Sequence, residues 1–381
     1  MELKLTEYEL GELLIYEQPT AYIVNSTEYS DSYKTPVLTA GKSFILGYTN
    51  ETDNIFGKLP VILFDDFTTA TQFVNFKFKV KSSAMKILNV NTELVNPKYI
   101  FYRMQTIQFD HSTHKRYWIQ QYSKLKVQIP PIVEQERIVA KIEELFSDLD
   151  NAVETLKATK AQLKLYKQAV LKSAFSRCIE LKKAEDLCFF ITKGTTPKKA
   201  EFQLEDKSIP FIKVYNLTFD GSLDFTIEPT FIAKSIHETS LARSIVYPGD
   251  VLMNIVGPPM GKVSIVPSSY DEWNINQAIA RFRCKEELNN RYLAYFLMSS
   301  ETVEKMSKQT KATAGQFNLT LETCRNIDIP VCSINEQLKI VDNLDTQLTA
   351  YNNIEKTVND ALQQATSMRQ SILKKAFEGR L

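Results

Sequence analysis

At 381 residues, 44% of them hydrophobic and 24% charged, the chain is long enough for two domains with separate cores. A net charge of +1 excludes a strongly basic, indiscriminate nucleic-acid binder, which needs a marked cationic excess. No apolar run approaches the ~18 residues of a membrane span, and the acidic start MELKLTEYEL is not a secretory signal, so a cytoplasmic (prokaryotic) protein is expected.

In chain order, a first block covers residues 1–128. Val61–Phe64 and Phe73–Val80 read as strands, the latter alternating Phe and Lys. Asn96-Pro97-Lys98-Tyr99 reads as a helix start, followed by a polar loop, His111 to Ile119, and an Ile129-Pro130 step. The segment 129–178 is a long helix. Ile142, Leu149, Leu156, Leu163 and Val170 fall seven apart, with Ile138, Leu145, Ala152, Thr159 and Tyr166 as a second row.

A second block, 179–328, predicts strands at Ile209–Val214, Ser244–Val256 and Val263–Val266, with the turn Tyr247-Pro248-Gly249-Asp250 leading into Val251–Val256 and Gly257-Pro258-Pro259 ending it. Asn290-Arg291-Tyr292 is set against Asn96-Pro97-Lys98, and the loop Lys311 to Leu319 against His111 to Ile119. After Ile329-Pro330, the segment 329–381 repeats the helix. Glu336 follows Glu134 and Phe377 follows Phe175 by the same 202 positions, without a gap. Leu344, Tyr351, Val358, Ala365 and Ile372 form one row, and Ile340, Gln347, Ile354, Ala361 and Met368 the other. The order block, helix, block, helix predicts an α+β protein. Two globular mixed α/β domains are joined by two long helices packed as an antiparallel coiled coil, with pseudo-twofold symmetry.

Chemistry-bearing motifs fail on their spacing. The five cysteines begin at Cys178 and include no CxxC pair, and His111, His114 and His237 have no partners at metal-ligand spacing. Gly257-Pro258-Pro259-Met260-Gly261-Lys262-Val263 is one residue short of a phosphate loop and carries Val where Ser or Thr would bind magnesium. Asn96-Pro97-Lys98-Tyr99 reads as a helix cap. No catalytic residue and no metal site is expected.

The whole chain resembles the specificity (S) subunit of type I restriction-modification systems. The residues that carry the resemblance are Ile129-Pro130-Pro131 with Glu134-Gln135, the helix end Leu171-Lys172-Ser173-Ala174-Phe175 and its copy Leu373 to Leu381. In the blocks they are Tyr16 to Tyr22, Val61 to Phe67, Lys193-Gly194-Thr195-Thr196-Pro197, Pro248-Gly249-Asp250, Asn276-Gln277-Ala278 and Gly315-Gln316-Phe317-Asn318. The resemblance implies that the blocks are target-recognition domains, each reading one half of a bipartite double-stranded DNA site in the major groove. The helices would set the spacer and dock two methyltransferase subunits. S-adenosylmethionine is expected on those partners and no cofactor on this chain, with motor-nuclease subunits completing a restriction assembly. Other readings are an S-like subunit of a bifunctional restriction-methylation enzyme, or a coiled-coil scaffold for protein partners. Polar loop residues suited to base edges and phosphates are Gln18, Thr20, Lys42, Tyr48, Thr68, Thr69, His114, Lys115 and Arg116 in the first block. In the second they are Lys193, Thr195, Thr196, Lys213, Asn216, Asn254, Lys262, Gln316 and Asn318.

Overall fold

The computed structural model describes residues 5–39, 43–111, 116–198, 208–308 and 318–381. The chain forms two compact units, Met1–Lys157 with Asn359–Leu381, and Ala158–Val358. Each unit therefore takes part of both long helices, the central helix Ile132–Ala174 and the C-terminal helix Ile334–Phe377.

The first unit closes on itself by pairing its first strand, Thr6–Glu9, antiparallel with its last, Lys126–Ile129. An antiparallel sheet follows in the order Leu14–Glu17, Met85–Val90, Val61–Asp65, Thr71–Val74. Val61 to Phe64 are buried on both faces, which explains the continuous apolar run. A second sheet places Thr35–Leu38 between Ile45–Thr49 and Lys79–Val80, the last of these parallel to it. The predicted strand Phe73–Val80 is thus two strands in two sheets. The break lets Phe78 bridge to Phe56 and sends Lys79 inward. Lys79 is 1% exposed, donates to the Asp53 carbonyl at 2.9 Å and pairs with Glu51 at 2.8 Å. Of the alternating lysines in that segment, Lys79 is therefore a core residue.

The second unit repeats the plan. Glu180–Lys183 pairs antiparallel with Asp328–Val331. The main sheet runs Cys188–Lys193, Ile279–Cys284, Val251–Asn254, Val263–Ile265, and the second sheet Phe231–Ile232, Ile209–Ile212, Trp273–Ile275, Ile245–Val246. Again the second sheet holds one parallel pair, Ile209–Ile212 with Trp273–Ile275. The predicted strand Ser244–Val256 is divided at the turn Tyr247-Pro248-Gly249-Asp250. There Gly249 has φ +90°, and Asp250 accepts the Tyr247 N–H at 2.9 Å.

Both junctions between block and helix use the same parts. Buried Gln135 accepts the Asn96 N–H (2.7 Å) and donates to the carbonyls of Pro130 (2.8 Å) and Leu94 (3.3 Å). Buried Gln337 accepts the Asn289 N–H (2.9 Å) and donates to the carbonyls of Glu287 (2.9 Å) and Cys332 (3.0 Å). Asn96 caps the helix Pro97–Met104 by accepting from the N–H groups of Lys98 and Tyr99. Asn289 caps Asn290–Met298 by accepting from Arg291 and Tyr292. The equivalent of Asn96 is therefore Asn289, one residue before the position the sequence comparison selects, and the new register aligns everything after it. Lys98 pairs with Glu143 and Arg291 with Asp345; Tyr99 packs on Phe377 and Tyr292 on Phe175.

In the first unit, Ile142 and Phe146 of the central helix meet Ile372, Leu373 and Ala376 of the C-terminal helix, and Asp150 pairs with Arg369. In the second, Tyr166 meets Gln347, and Val170 and Leu171 join a core with Val341, Leu344 and Leu348. Later positions on one helix meet earlier positions on the other, so the packing is antiparallel. The first heptad row of the C-terminal helix is buried throughout, from Leu344 to Ile372. The second row holds only in part: Ile138, Leu145 and Ile340 pack partly buried against the cores, Tyr166, Ile354 and Met368 are exposed, and the neighbouring row of Val139, Phe146, Val341 and Leu348 is buried more deeply. Farther along, the inward row includes long polar side chains that cover aromatic faces. Arg369 lies 4.2 Å from the Phe146 ring centroid and Lys167 5.2 Å from that of Tyr351. Burial pulls the Lys167 ammonium below its ordinary range.

Candidate nucleic-acid interface

In the second unit, backbone hydrogen bonds gather four loops at one end of the strands. Gly194 N–H donates to the Ile279 carbonyl (3.1 Å) and Thr195 N–H to that of Ile275 (3.2 Å). Asn276 N–H donates to the Ile212 carbonyl (3.1 Å) and Ile255 N–H to that of Ala278 (2.9 Å). The approach at Gly194 tolerates only glycine, since a Cβ there would lie 2.1 Å from the Ile275 carbonyl oxygen. The Lys262 ammonium donates to the Val214 carbonyl (3.4 Å) and lies 5.8 Å from the Phe219 ring centroid. Thr196 hydrogen-bonds Gln277, and Asn318 bridges to Val256.

This end therefore collects Lys193, Thr195, Thr196, Lys213, Lys262 and Asn318 from the expected set. Asn216 and Asn254 are corrected, because both are buried and their amides serve the fold. Asn216 accepts the Lys213 N–H (2.9 Å) and donates to the carbonyls of Asp224 and Ile227. Asn254 accepts the Lys262 N–H (3.0 Å) and donates to the Pro259 carbonyl (3.0 Å). Neither amide faces outward. Gln277 and Phe219, the latter 45% exposed, were not in the expected set and belong with it. The signal for Gln277 was present in the Asn276-Gln277-Ala278 motif.

The first unit builds its loop end differently. Asp65 closes the turn after its strand by accepting the N–H groups of Phe67 (2.8 Å) and Thr68 (2.9 Å). The His111 Nε2–H donates to the Thr68 carbonyl (3.0 Å) and lies 2.9 Å from the Thr69 hydroxyl; Thr69 takes a left-handed φ of +55°. Arg116 lies 6.0 Å from the Phe67 ring centroid. Beside them Gln18 accepts from Lys86 at 2.7 Å, and Lys86 pairs with buried Asp66 at 3.5 Å.

Gln18, Thr68, Thr69 and Arg116 thus converge, and His111 and Phe67 join them. Thr20 follows Gln18 in the exposed 3₁₀ turn Pro19–Tyr22. Tyr48 is half-buried and stands on the other sheet. Lys42, His114, Lys115 and Gln316 lie outside the described residues. The loop register also shifts. Tyr117 N–H donates to the Asp66 carbonyl (2.9 Å) as Leu319 N–H donates to that of Ile255 (2.8 Å), so Tyr117 corresponds to Leu319 rather than to Phe317.

Among the described residues no group of His, Cys, Asp and Glu could hold a metal ion, and no helix is long and apolar enough to cross a membrane. Two blocks of one plan, each with an exposed polar and aromatic loop cluster, mounted on shared paired helices, define a two-headed recognition protein. The model of the type I restriction modification DNA specificity domain matches residues 3–165 and 179–364, and the chain belongs to the family of type I specificity subunits. It is 33% identical over 382 residues to the specificity subunit of the type I restriction enzyme EcoR124I/EcoR124II of Escherichia coli, covering 95% of this chain and 90% of that one. The EcoBI specificity subunit, also of Escherichia coli, is 29% identical over 283 residues, 66% of this chain and 58% of its own. In fold, the chain resembles one from a solved structure described by the complex assembly and conformational transition of the type I R-M system, with TM-score 0.75, 19% identity and full coverage of both. It also resembles the HsdS subunit from Thermoanaerobacter tengcongensis, with TM-score 0.56, 18% identity and coverage of 99% and 97%.

Proposed function

We propose that this chain is the DNA-reading subunit of a type I restriction-modification complex in the cytoplasm of a prokaryote, each block reading one half of a two-part duplex target. The observation that carries this reading is the pairing of a repeated frame with unlike loop clusters. Gln135, Asn96 and Lys98 have counterparts in Gln337, Asn289 and Arg291, whereas the loop ends are built differently: the first holds Gln18 on Lys86 and Thr68 and Thr69 on His111, with Arg116 near Phe67, and the second gathers Lys193, Lys213 and Lys262 with Thr195, Thr196 and Gln277. Such loops offer donors, acceptors and stacking faces to base edges.

The near-neutral charge assigns much of the phosphate binding to partner subunits. Two methyltransferase subunits, one for each half of the repeat, would carry S-adenosylmethionine and flip the target adenine, and motor-nuclease subunits would complete restriction. The central helix, 43 residues and about 65 Å at ~1.5 Å per residue, is long enough to serve with its partner helix as the ruler for the unread spacer.

The test is genome-wide mapping of modified bases in cells expressing the methyltransferase subunit with and without this chain. Marks at a two-part motif with a fixed gap, present only with the chain, are expected. An active methyltransferase whose marks do not depend on the chain would overturn the proposal.

A further inference from the structure

We propose that Lys86 is a positioning residue that turns Gln18 into a donor-only reader, so that the first block selects a base with an acceptor edge at one target position. This inference rests on the DNA-reading function above. An ammonium only donates, so the amide atom 2.7 Å from Lys86 Nζ must be Oε1, whichever way a free glutamine would turn. The exposed amide nitrogen then points away from the lysine with both hydrogens available, and it has no partner among the described residues.

Lys86 is itself fixed. It is 2% exposed, pairs with Asp66 at 3.5 Å and lies 5.5 Å from the Tyr16 ring centroid. Asp66, 1% exposed, is held by the Trp118 N–H at 2.8 Å and by its own backbone, which donates to the Ala84 carbonyl and accepts from Tyr117. The chain Trp118, Asp66, Lys86, Gln18 thus runs from the core to the loop end that carries Phe67, Thr68 and Thr69. A buried ion pair costs desolvation that an apolar pair would avoid, and fixing the orientation of one surface amide is a use that accounts for it.

In the major groove, guanine offers the acceptors N7 and O6, adenine N7 and thymine O4, whereas cytosine offers only the N4 donor. A donating Gln18 therefore favours guanine, thymine or the N7 of adenine and rejects cytosine, on the order of ten- to a hundredfold for one well-placed contact.

The test is motif mapping from complexes assembled with the cognate methyltransferase subunits and carrying single variants. The Gln18→Glu variant keeps the shape of the side chain, but its carboxylate only accepts. The expected result is acceptance of cytosine, which the native chain rejects, at one position of one half-site, with the other half-site unchanged. In a second variant, Lys86→Met with Asp66→Asn, no carboxylate is left buried and unpaired, and the new amide oxygen still accepts from the Trp118 N–H. Its expected result is native thermal unfolding with relaxed discrimination at that same position, because the Gln18 amide is free to turn. Native preference at every position in either folded variant overturns the proposal. If Gln18→Glu abolishes all marks, Gln18→Leu decides: relaxation at one position supports the proposal, and an unchanged motif overturns it. If the unaltered complex yields no two-part motif, the DNA-reading function itself fails, and this inference with it.

Discussion

In the first unit the smaller sheet buries Lys79, paired with half-buried Glu51, whereas in the second the corresponding sheet packs over buried His237. That histidine accepts from Asn274 at Nδ1 (2.7 Å) and donates from Nε2 to Glu272 (3.0 Å). The junctions of the two units, by contrast, match side chain for side chain. The parts that join block to helix are alike in the two units, and the parts that face outward, together with the sheets that support them, differ. Residues that satisfy buried backbone groups have few substitutes, because each lost partner leaves a desolvated donor or acceptor. Residues at an exposed loop end are constrained only by what they read.

Six substitutions sharpen this contrast. The largest effect is expected where the units differ most. Lys79→Met takes the cation from the half-buried Glu51 carboxylate and the donor from the Asp53 carbonyl, and should destabilise the first unit by about 3–4 kcal/mol in denaturant unfolding. The smaller sheet of the second unit holds no lysine–carboxylate pair of this kind among the described residues, and the unfolding of that unit should be unchanged.

Gln135→Leu and Gln337→Leu come next. Each strands one N–H and two carbonyls, so each should cost about 2–4 kcal/mol. The two costs should agree within about 1 kcal/mol, and a wider gap would show that the junctions are alike in geometry only. The caps follow on a smaller scale: Asn96→Ala and Asn289→Ala should each cost about 1 kcal/mol.

The smallest effect is a pH dependence confined to the first unit. The hydrogen bond from the Lys79 ammonium, aided by the N–H groups of Ser26 and Asn25, holds the Glu51 carboxyl below the ordinary carboxylate range. A carboxyl with a depressed folded pKa contributes stability above its unfolded value of 4.5, and that contribution is lost as pH falls through the folded one. Acid titration of unfolding should therefore be shallower in Glu51→Gln than in the native chain, and an identical slope would contradict the assignment.

The frame was largely legible in the sequence, because a gapless repeat of apolar rows has one physical reading. Its details were not. Asn289 and Asn290 are both competent caps, and the hydrogen bond from the Asn289 N–H to Gln337 selects the first. A second seam row three or four positions from the first fits the same heptads, and packing buries Val139 and Phe146 more deeply than Ile138 and Leu145, which pack only partly buried against the core. Polar residues were the weakest guide. Lys79, Asn216 and Asn254 look solvent-facing by composition, yet each is buried with hydrogen-bond partners supplied by segments distant in sequence. His111 escaped for the opposite reason, since nothing near it in sequence places it beside Thr68 and Thr69.

The central claim is that one helical frame carries two independent readers at a fixed separation. Inserting four residues after Lys157 and four after Val358 adds about one turn, or ~6 Å, to each helix. At ~3.4 Å per base pair this should lengthen the unread spacer by one or two base pairs in the mapped methylation motif, with both half-sites intact. Altered half-sites with an unchanged gap would contradict the account.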